Sequence, residues 1–309
     1  MIYVLGSINH DISLEVERLP KKGETVSADS CRTGLGGKGA NQAVAIARLG
    51  GGAPIKMIGR VGADAIGSQL IDRLKEYGVD TEFVRQVNRA TGTAMITLSE
   101  KDNRIIYYSG ANSGLSKTDI DEAFEHATSS DTLLCQLEVP LYVVAYALRR
   151  ARQIGMTTIL NPAPAKALPD DIYYNVDIII PNETETQILT GINPNTDDAR
   201  RAAIEKFHDY GVPYVVLTLG DKGSAISDGA YVEERIPARK VAAVDTTGAG
   251  DTFVGALALT YPHIGMYSFR EACMFATRAA SIAVTRRGAA ESVPTAEEVY
   301  ELYCNEIKK

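Results

Sequence analysis

The 309-residue chain holds only four cysteines, Cys31, Cys135, Cys273 and Cys304, far apart and in no CxxC or other metal-ligand spacing. That excludes a disulfide framework and a zinc site, and leaves free thiols suited to a reducing compartment. An excess of positive charge is also missing. The formal net charge is −7, opposite in sign to the footprint of a nucleic-acid binder. No apolar run reaches the roughly 18 to 20 residues of a membrane span. The opening MIYVLGSINHDI has no basic residues before its apolar stretch and no small-residue cleavage site, so a secretory signal is not expected. Low-complexity tracts and internal repeats are absent as well. A cytoplasmic globular protein is the expectation, long enough for one large α/β domain or one domain with a small accessory element.

What is present is an alternation of β-rich runs with helical patterns, the signature of a mostly parallel sheet covered on both faces. The patterns predict strands over Ile2–Ser7, Ile55–Val61, Thr132–Leu137, Met156–Leu160, Val176–Ile180 and Tyr214–Leu219. They predict helices over Lys38–Leu49, Ile66–Tyr77, Tyr142–Gln153, Thr252–Thr260, Phe269–Thr285 and Ala296–Asn305. The last of these lies behind the capping box Thr295-x-x-Glu298. Two stretches break the rhythm. Residues 11–33 and 91–109, the latter around Lys101-Asp-Asn103, alternate with period two, as half-exposed antiparallel strands do. They read as one small antiparallel β-sheet inserted as a lid into a large α/β domain of residues 1–10, 34–90 and 110–309.

Two glycine-rich segments carry chemistry. Gly34-Leu-Gly-Gly-Lys-Gly-Ala-Asn41 precedes a helix, where backbone can come close to a ligand and the helix N-terminus favours polar or anionic groups. Its literal GxGxxG (Gly34, Gly36, Gly39) does not follow the first strand, which argues against a dinucleotide fingerprint. Lys38 is followed by glycine, so the segment is not a Walker A loop either. Asp245-Thr-Thr-Gly-Ala-Gly-Asp251 runs into a second helix. Small residues there can aim successive N–H groups at one anion, with the helix dipole adding to the field. Asp251 beside such a hole suits a base that takes a proton from a hydroxyl attacking a phosphoryl group. Read alone, the same residue serves equally well as a helix cap.

Together, GGKGAN at 36–41 and DTTGAGD at 245–251 resemble the two signature regions of the ribokinase-like carbohydrate kinases. The likeness continues through Gly6-Ser-Ile-Asn-His-Asp11, Gly110-Ala-Asn112, Gln136-Leu-Glu-Val-Pro140, Asn161-Pro-Ala-Pro-Ala165, Pro181-Asn-Glu-Thr-Glu185, Thr218-Leu-Gly220, Ala283–Ala289 and Ser292-Val-Pro294. The resemblance implies an ATP-dependent sugar kinase with the ribokinase-like α/β fold, acting on D-ribose, with Mg²⁺ carried by ATP. Deoxyribose, fructose-type or nucleoside acceptors are the alternatives within the family, a catalytically silent sugar sensor is a different class, and a dinucleotide-dependent oxidoreductase is the weakest alternative.

Residue by residue, the resemblance implies that Asn9, Asp11, Gly37, Lys38, Asn41 and Glu138 hold the sugar. It makes Asp251 the base, with Gly248, Ala249 and Gly250 forming the anion hole. Asn182 and Glu185 fall on the family's N-x-x-E element for phosphate and Mg²⁺ placement, a spacing that is also a capping box. Thr218, Gly220, Gly223 and Thr277 fall along the nucleotide site, Lys222 being a solvated turn residue on the plainer reading. Asp245, Thr247, Ala283, Arg286, Gly288 and Ser292 are the oxygen donors for an activating K⁺, a hard cation that takes such ligands. The inserted strands match a lid that pairs two subunits, so a homodimer is expected. His10, between two sugar ligands, is expected to point away from them.

Overall fold

The computed structural model describes residues 1–99, 102–229, 234–261 and 268–307. The first strand, β1 (Ile2–Leu5), is buried throughout and pairs in parallel on both edges. Its alternation divides the core. Ile2 and Val4 join one apolar cluster, Tyr3 and Leu5 the other, because successive side chains of a strand leave on opposite faces. A strand buried on both faces has no polar alternation to show, which is why IYVL reads as a short apolar run.

Two further strands follow in the chain, β2 (Asn9–Glu15) and β3 (Ser30–Gly36), then β4 (Ile55–Gly62) and β5 (Asp80–Val87). Next come β6 (Gly92–Ser99), β7 (Asp102–Tyr108), β8 (Thr132–Cys135), β9 (Thr157–Leu160) and β10 (Ile178–Ile179). The last are β11 (Tyr214–Thr218), β12 (Ser224–Ser227) and β13 (Glu234–Ile236). The large sheet has nine strands in the order β13-β12-β11-β10-β9-β8-β1-β4-β5, parallel except for the β11-β12-β13 meander at one edge. Strand β5 has no counterpart in the sequence expectation. It lies at the edge and buries only Val84, so no apolar run marks it.

Helices cover both faces. On one lie α1 (Lys38–Leu49) and α2 (Ala65–Glu76). On the other lie α3 (Lys117–Ala123), α4 (Leu141–Ile154), α5 (Asp170–Tyr173), α6 (Glu183–Thr190) and α7 (Asp197–Asp209). The final three, α8 (Ala249–Thr260), α9 (Phe269–Ala283) and α10 (Ala296–Ile307), return to the α1 face. Among the described residues no helix is long and apolar enough to cross a membrane.

The small sheet has the order β3-β2-β6-β7. Its outer pairs are antiparallel, as expected, but its central pair β2-β6 is parallel. The reason is topological. Each hairpin leaves the body of the molecule on its first strand, and the two outgoing strands lie side by side. The expected boundaries at 11 and 33 fall inside β2 and β3, so Asn9 and Gly36 stand on this sheet. Lys101, in the expected turn between β6 and β7, lies outside the described residues. Alternation puts Asn9, Asp11 and Ser13 on one face of β2 and His10, Ile12 and Leu14 on the other.

Candidate active site

The site lies where the small sheet overhangs the N-termini of α1 and α8. Gly36 ends β3 opposite Asn9, and a Cβ on it would stand 2.0 Å from the Asp11 carboxylate. Only glycine lets the two strands bring that carboxylate into the pocket. Helix α8 starts from Gly248, which has φ 73° and would drive a Cβ to 2.7 Å from Ala289. Helix geometry leaves the first N–H groups of α8 without intrahelical acceptors. That of Ala249 turns back to the Thr246 carbonyl at 3.3 Å. Over Gly250 the space is open, with nothing within 4 Å of where its Cβ would be.

Asp251 sits in the first turn of α8, and the cap position belongs to Gly248. Its carboxylate turns across to α1. Asn41 Nδ2 donates to Oδ2 at 3.1 Å and Gln42 Nε2 donates to Oδ1 at 2.9 Å. Gln42 is held in turn: Nε2 also reaches Asn161 Oδ1 at 3.1 Å, and its Oε1 accepts from Gln136 Nε2 at 2.6 Å. Asn161 Nδ2 donates to the Ile180 carbonyl at 2.8 Å. This buried amide chain fixes the carboxylate beside the open amides of α8, so the capping reading of Asp251 gives way.

A second group of polar residues faces the same space. Asn112 Nδ2 donates to Asn9 Oδ1 at 2.8 Å, while Asn112 Oδ1 accepts from Ile8 N at 2.9 Å. Glu138 Oε2 accepts from Ser7 Oγ at 2.5 Å and from Lys38 N at 3.1 Å. The Lys38 ammonium lies among carboxylates. Burial works against its charge, but Asp251, Glu138 and Glu185 outweigh that and raise its pKa. Burial, with Glu138, Asp251 and Glu291 nearby, pushes Asp11 up to about 7. Asp11 Oδ1 and Asn41 Oδ1 are buried with no hydrogen-bond partner. Orphaned acceptors of this kind are costly unless a ligand supplies donors. A cleft of about 1140 Å³ that Asp11 lines runs between the small sheet and the segments 243–247 and 287–291.

Toward the nucleotide side implied by the sequence, Asn182 pairs with Thr218 in an isolated bridge. The capping box is fully formed: Asn182 N donates to Glu185 Oε2 and Glu185 N to Asn182 Oδ1, both at 2.8 Å. Burial raises the Glu185 pKa, partly countered by the Asn182 N–H and by Lys38. Thus the box is both a helix start and an electrostatic neighbour of the pocket. Gly220 opens a tight turn with free space above it, and Gly223 packs under the Ile236 carbonyl. Lys222 pairs loosely with Glu183 at 3.7 Å, both well exposed. Thr277 Oγ1 donates to the Cys273 carbonyl within α9 at 2.8 Å, and no described contact joins it to this group.

Of the six candidates for K⁺, Asp245, Thr247 and Gly288 are joined by hydrogen bonds. Asp245 Oδ1 accepts from Thr247 N at 2.9 Å and Oδ2 from Gly288 N at 3.0 Å. Burial opposes the Asp245 charge, yet these donors hold its pKa below the usual range. Ala283 O already accepts from Arg286 N at 3.0 Å, and Ser292 Oγ donates to Ala289 O at 2.8 Å. Among the described residues no three His, Cys, Asp or Glu side chains are grouped to hold a metal.

Residues 1–296 match the pfkB family carbohydrate kinase description. The chain belongs to that family. It is 41% identical over 300 residues to the ribokinase of Haemophilus influenzae, covering 96% of each chain. It is 38% identical over 305 residues to the deoxyribokinase of Salmonella typhimurium, covering 97% of each. The solved structure of Arabidopsis thaliana ribokinase complexed with ribose and ATP superimposes with a TM-score of 0.88 at 36% identity, over 97% of both chains.

Buried amides and carboxylates thus gather beside the start of α8, whose first N–H groups have no intrahelical acceptors. Hydrogen bonds join Asp251 to Asn41 and Gln42, Asn9 to Asn112, and Glu138 to Ser7, Lys38 N and Tyr107, while Asp11 lines the cleft. Ser7, Gln42, Asn112 and Tyr107, with Gln136 and Asn161 behind Gln42, had no role in the sequence reading. Asn112, Gln136 and Asn161 did lie in the GAN, QLEVP and NPAPA segments that carried the resemblance. Tyr107 had no such signal.

Proposed function

We propose that this carbohydrate kinase transfers the γ-phosphoryl group of ATP to the 5-hydroxyl of D-ribose. The observation that carries the reading is the Asp251 carboxylate, locked by Asn41 and Gln42 beside the start of α8. As the sugar oxygen attacks phosphorus, Asp251 takes its proton and ADP leaves with the bridging electron pair. The N–H groups of Gly248 and Gly250 would face the charge on the equatorial oxygens, joined by that of Ala249 on exchanging its long 3.3 Å bond to the Thr246 carbonyl. At the other end of the pocket Asn9, Asp11, Gly37, Lys38, Asn41 and Glu138 hold the remaining hydroxyls. Ribose is favoured by the Haemophilus relative's name and by the ribose-bound Arabidopsis structure. The Salmonella relative makes 2-deoxyribose the runner-up.

Asn182 and Glu185 would meet the Mg²⁺ of Mg-ATP through water, where it would neutralise phosphate charge. Asp245, Thr247, Ala283, Arg286, Gly288 and Ser292 would hold K⁺, which would add positive potential beside the anion hole. Thr218, Gly220 and Gly223 would line the ADP path, with Thr277 at its margin. The small sheet acts as a lid that keeps water from the phosphoryl group, and a second copy of the chain covers its outer face. A cytoplasmic location is the reading that the free thiols support, since they suit a reducing compartment.

The test is ADP release with ribose, 2-deoxyribose, fructose and adenosine as acceptors, each with Mg-ATP in potassium and in sodium. The expected outcome is a clear preference for ribose and a faster rate in potassium. Preference for another acceptor moves the sugar assignment. Equal rates in both salts remove the cation site, and no turnover with any acceptor removes the kinase reading of Asp251.

A further inference from the structure

The lid strands carry a residue that the sugar-binding set does not include. In the small sheet Gly34, Asp11, Ala94 and Tyr107 stand in one row across the four strands. Paired residues share a face, so Tyr107 projects from the face that carries Asp11. Strands lie about 4.8 Å apart, which puts a carboxylate and a phenol on either side of a trough floored by the small Ala94. Tyr107 also leaves the lid to touch the body of the enzyme. Its hydroxyl donates to the Glu138 carbonyl at 3.2 Å. Burial, and then the Glu138 carboxylate, raise its pKa, with Asn112 also in reach. The phenol is therefore kept as a donor.

Helix α1 shows which end of the acceptor Tyr107 meets. Glu138 binds the helix at Lys38 N, whereas Asp251 binds it at Asn41 and Gln42. Three or four residues of helix separate these points by about 5 Å along the axis. An acceptor whose reacting hydroxyl lies at Asp251 thus extends its far end toward Glu138 and Tyr107.

We propose that Tyr107 is a specificity residue of the sugar pocket, a gate on the lid that closes over the end of the acceptor remote from the transferred phosphoryl group. Its hydroxyl latches the lid to the Glu138 carbonyl, and its ring occupies the space that a bulky substituent at the far end of a pentose would need. The gate selects small free sugars over nucleosides. This rests on the sugar-kinase reading above and adds to it the group that enforces acceptor size.

Two variants test the gate, each compared with the parent enzyme and checked for an unchanged melting transition. Tyr107→Phe removes the latch and keeps the ring. The ribose KM is expected to rise about three- to tenfold, the loss of one neutral hydrogen bond, with kcat and the Mg-ATP KM nearly unchanged. Tyr107→Ala opens the mouth, and the ratio of kcat/KM for adenosine to that for ribose is expected to rise about tenfold or more. Y107F with an unaltered ribose KM and Y107A with an unaltered ratio overturn the gate. Should Y107A not fold, Y107F decides alone. If the parent itself ignores ribose, the sugar assignment fails. The gate is then judged by the same variant-to-parent comparison on the acceptor the parent uses.

Discussion

Asp251 is an acceptor aimed by two side-chain amides, and its chemistry depends on the negative oxygen that those amides leave facing the pocket. Asp251→Asn keeps the size and removes the base. Turnover should fall about 10²- to 10⁴-fold, while calorimetry still finds sugar and ADP binding; near-normal turnover would end the assignment. Asp11 makes a second case. Its folded pKa, about 7, stands above the ordinary 3.8, chiefly through burial. It therefore contributes stability that is present at acid pH and lost as pH rises through about 7. In the sugar-binding reading its carboxylate accepts hydroxyl donors, so kcat/KM for the sugar should fall as pH drops through that value. Asp11→Asn should abolish this limb and leave the Mg-ATP profile in place. A limb that persists in D11N belongs to another group.

At the level of elements, the start of α6 does two things with one pair of residues. Asn182 and Glu185 satisfy each other's backbone groups, and Glu185 also adds negative charge near Lys38. Asn182→Ala should cost about 1 kcal/mol as a lost cap, a fall of about 2 °C in melting temperature. If the pair also places the hydrated Mg²⁺, the KM for Mg-ATP rises several-fold and that for ribose does not. A lowered melting point with both KM values intact would leave the cap as its whole role. The small sheet shows a different logic. Its hairpins were legible as period-two alternation, but the parallel β2-β6 pairing that joins them was not. Nothing local in either hairpin states which edge meets which.

For the whole molecule the outer face of the lid is the unfinished part. Met95, Ile106 and Tyr108 are 43%, 72% and 53% exposed on the face opposite Asp11 and Tyr107. In the dimer proposed above, a second lid related by two-fold symmetry would cover this apolar surface. Ile106→Asp should shift sedimentation from a dimer toward the 33.3 kDa chain and raise the ribose KM as the lid loses support. A parent protein that sediments as a monomer at micromolar concentration would contradict the dimer.

The sequence by itself determined the alternation of strand and helix and the glycine-rich segments before α1 and α8. Both follow from short-range needs: a strand buried on both faces must be apolar, and a turn that brings backbone close to a helix start must be small. Tertiary structure decided what required distant segments to meet. The register that aligns Asp11, Ala94 and Tyr107 joins three strands. The amide chain through Gln42, Gln136 and Asn161 joins α1 to the ends of β8 and β9. Hydrogen bonds of this kind need atoms placed to within a few tenths of an ångström on residues 94 and 119 apart in sequence, so only the packed fold could pair them.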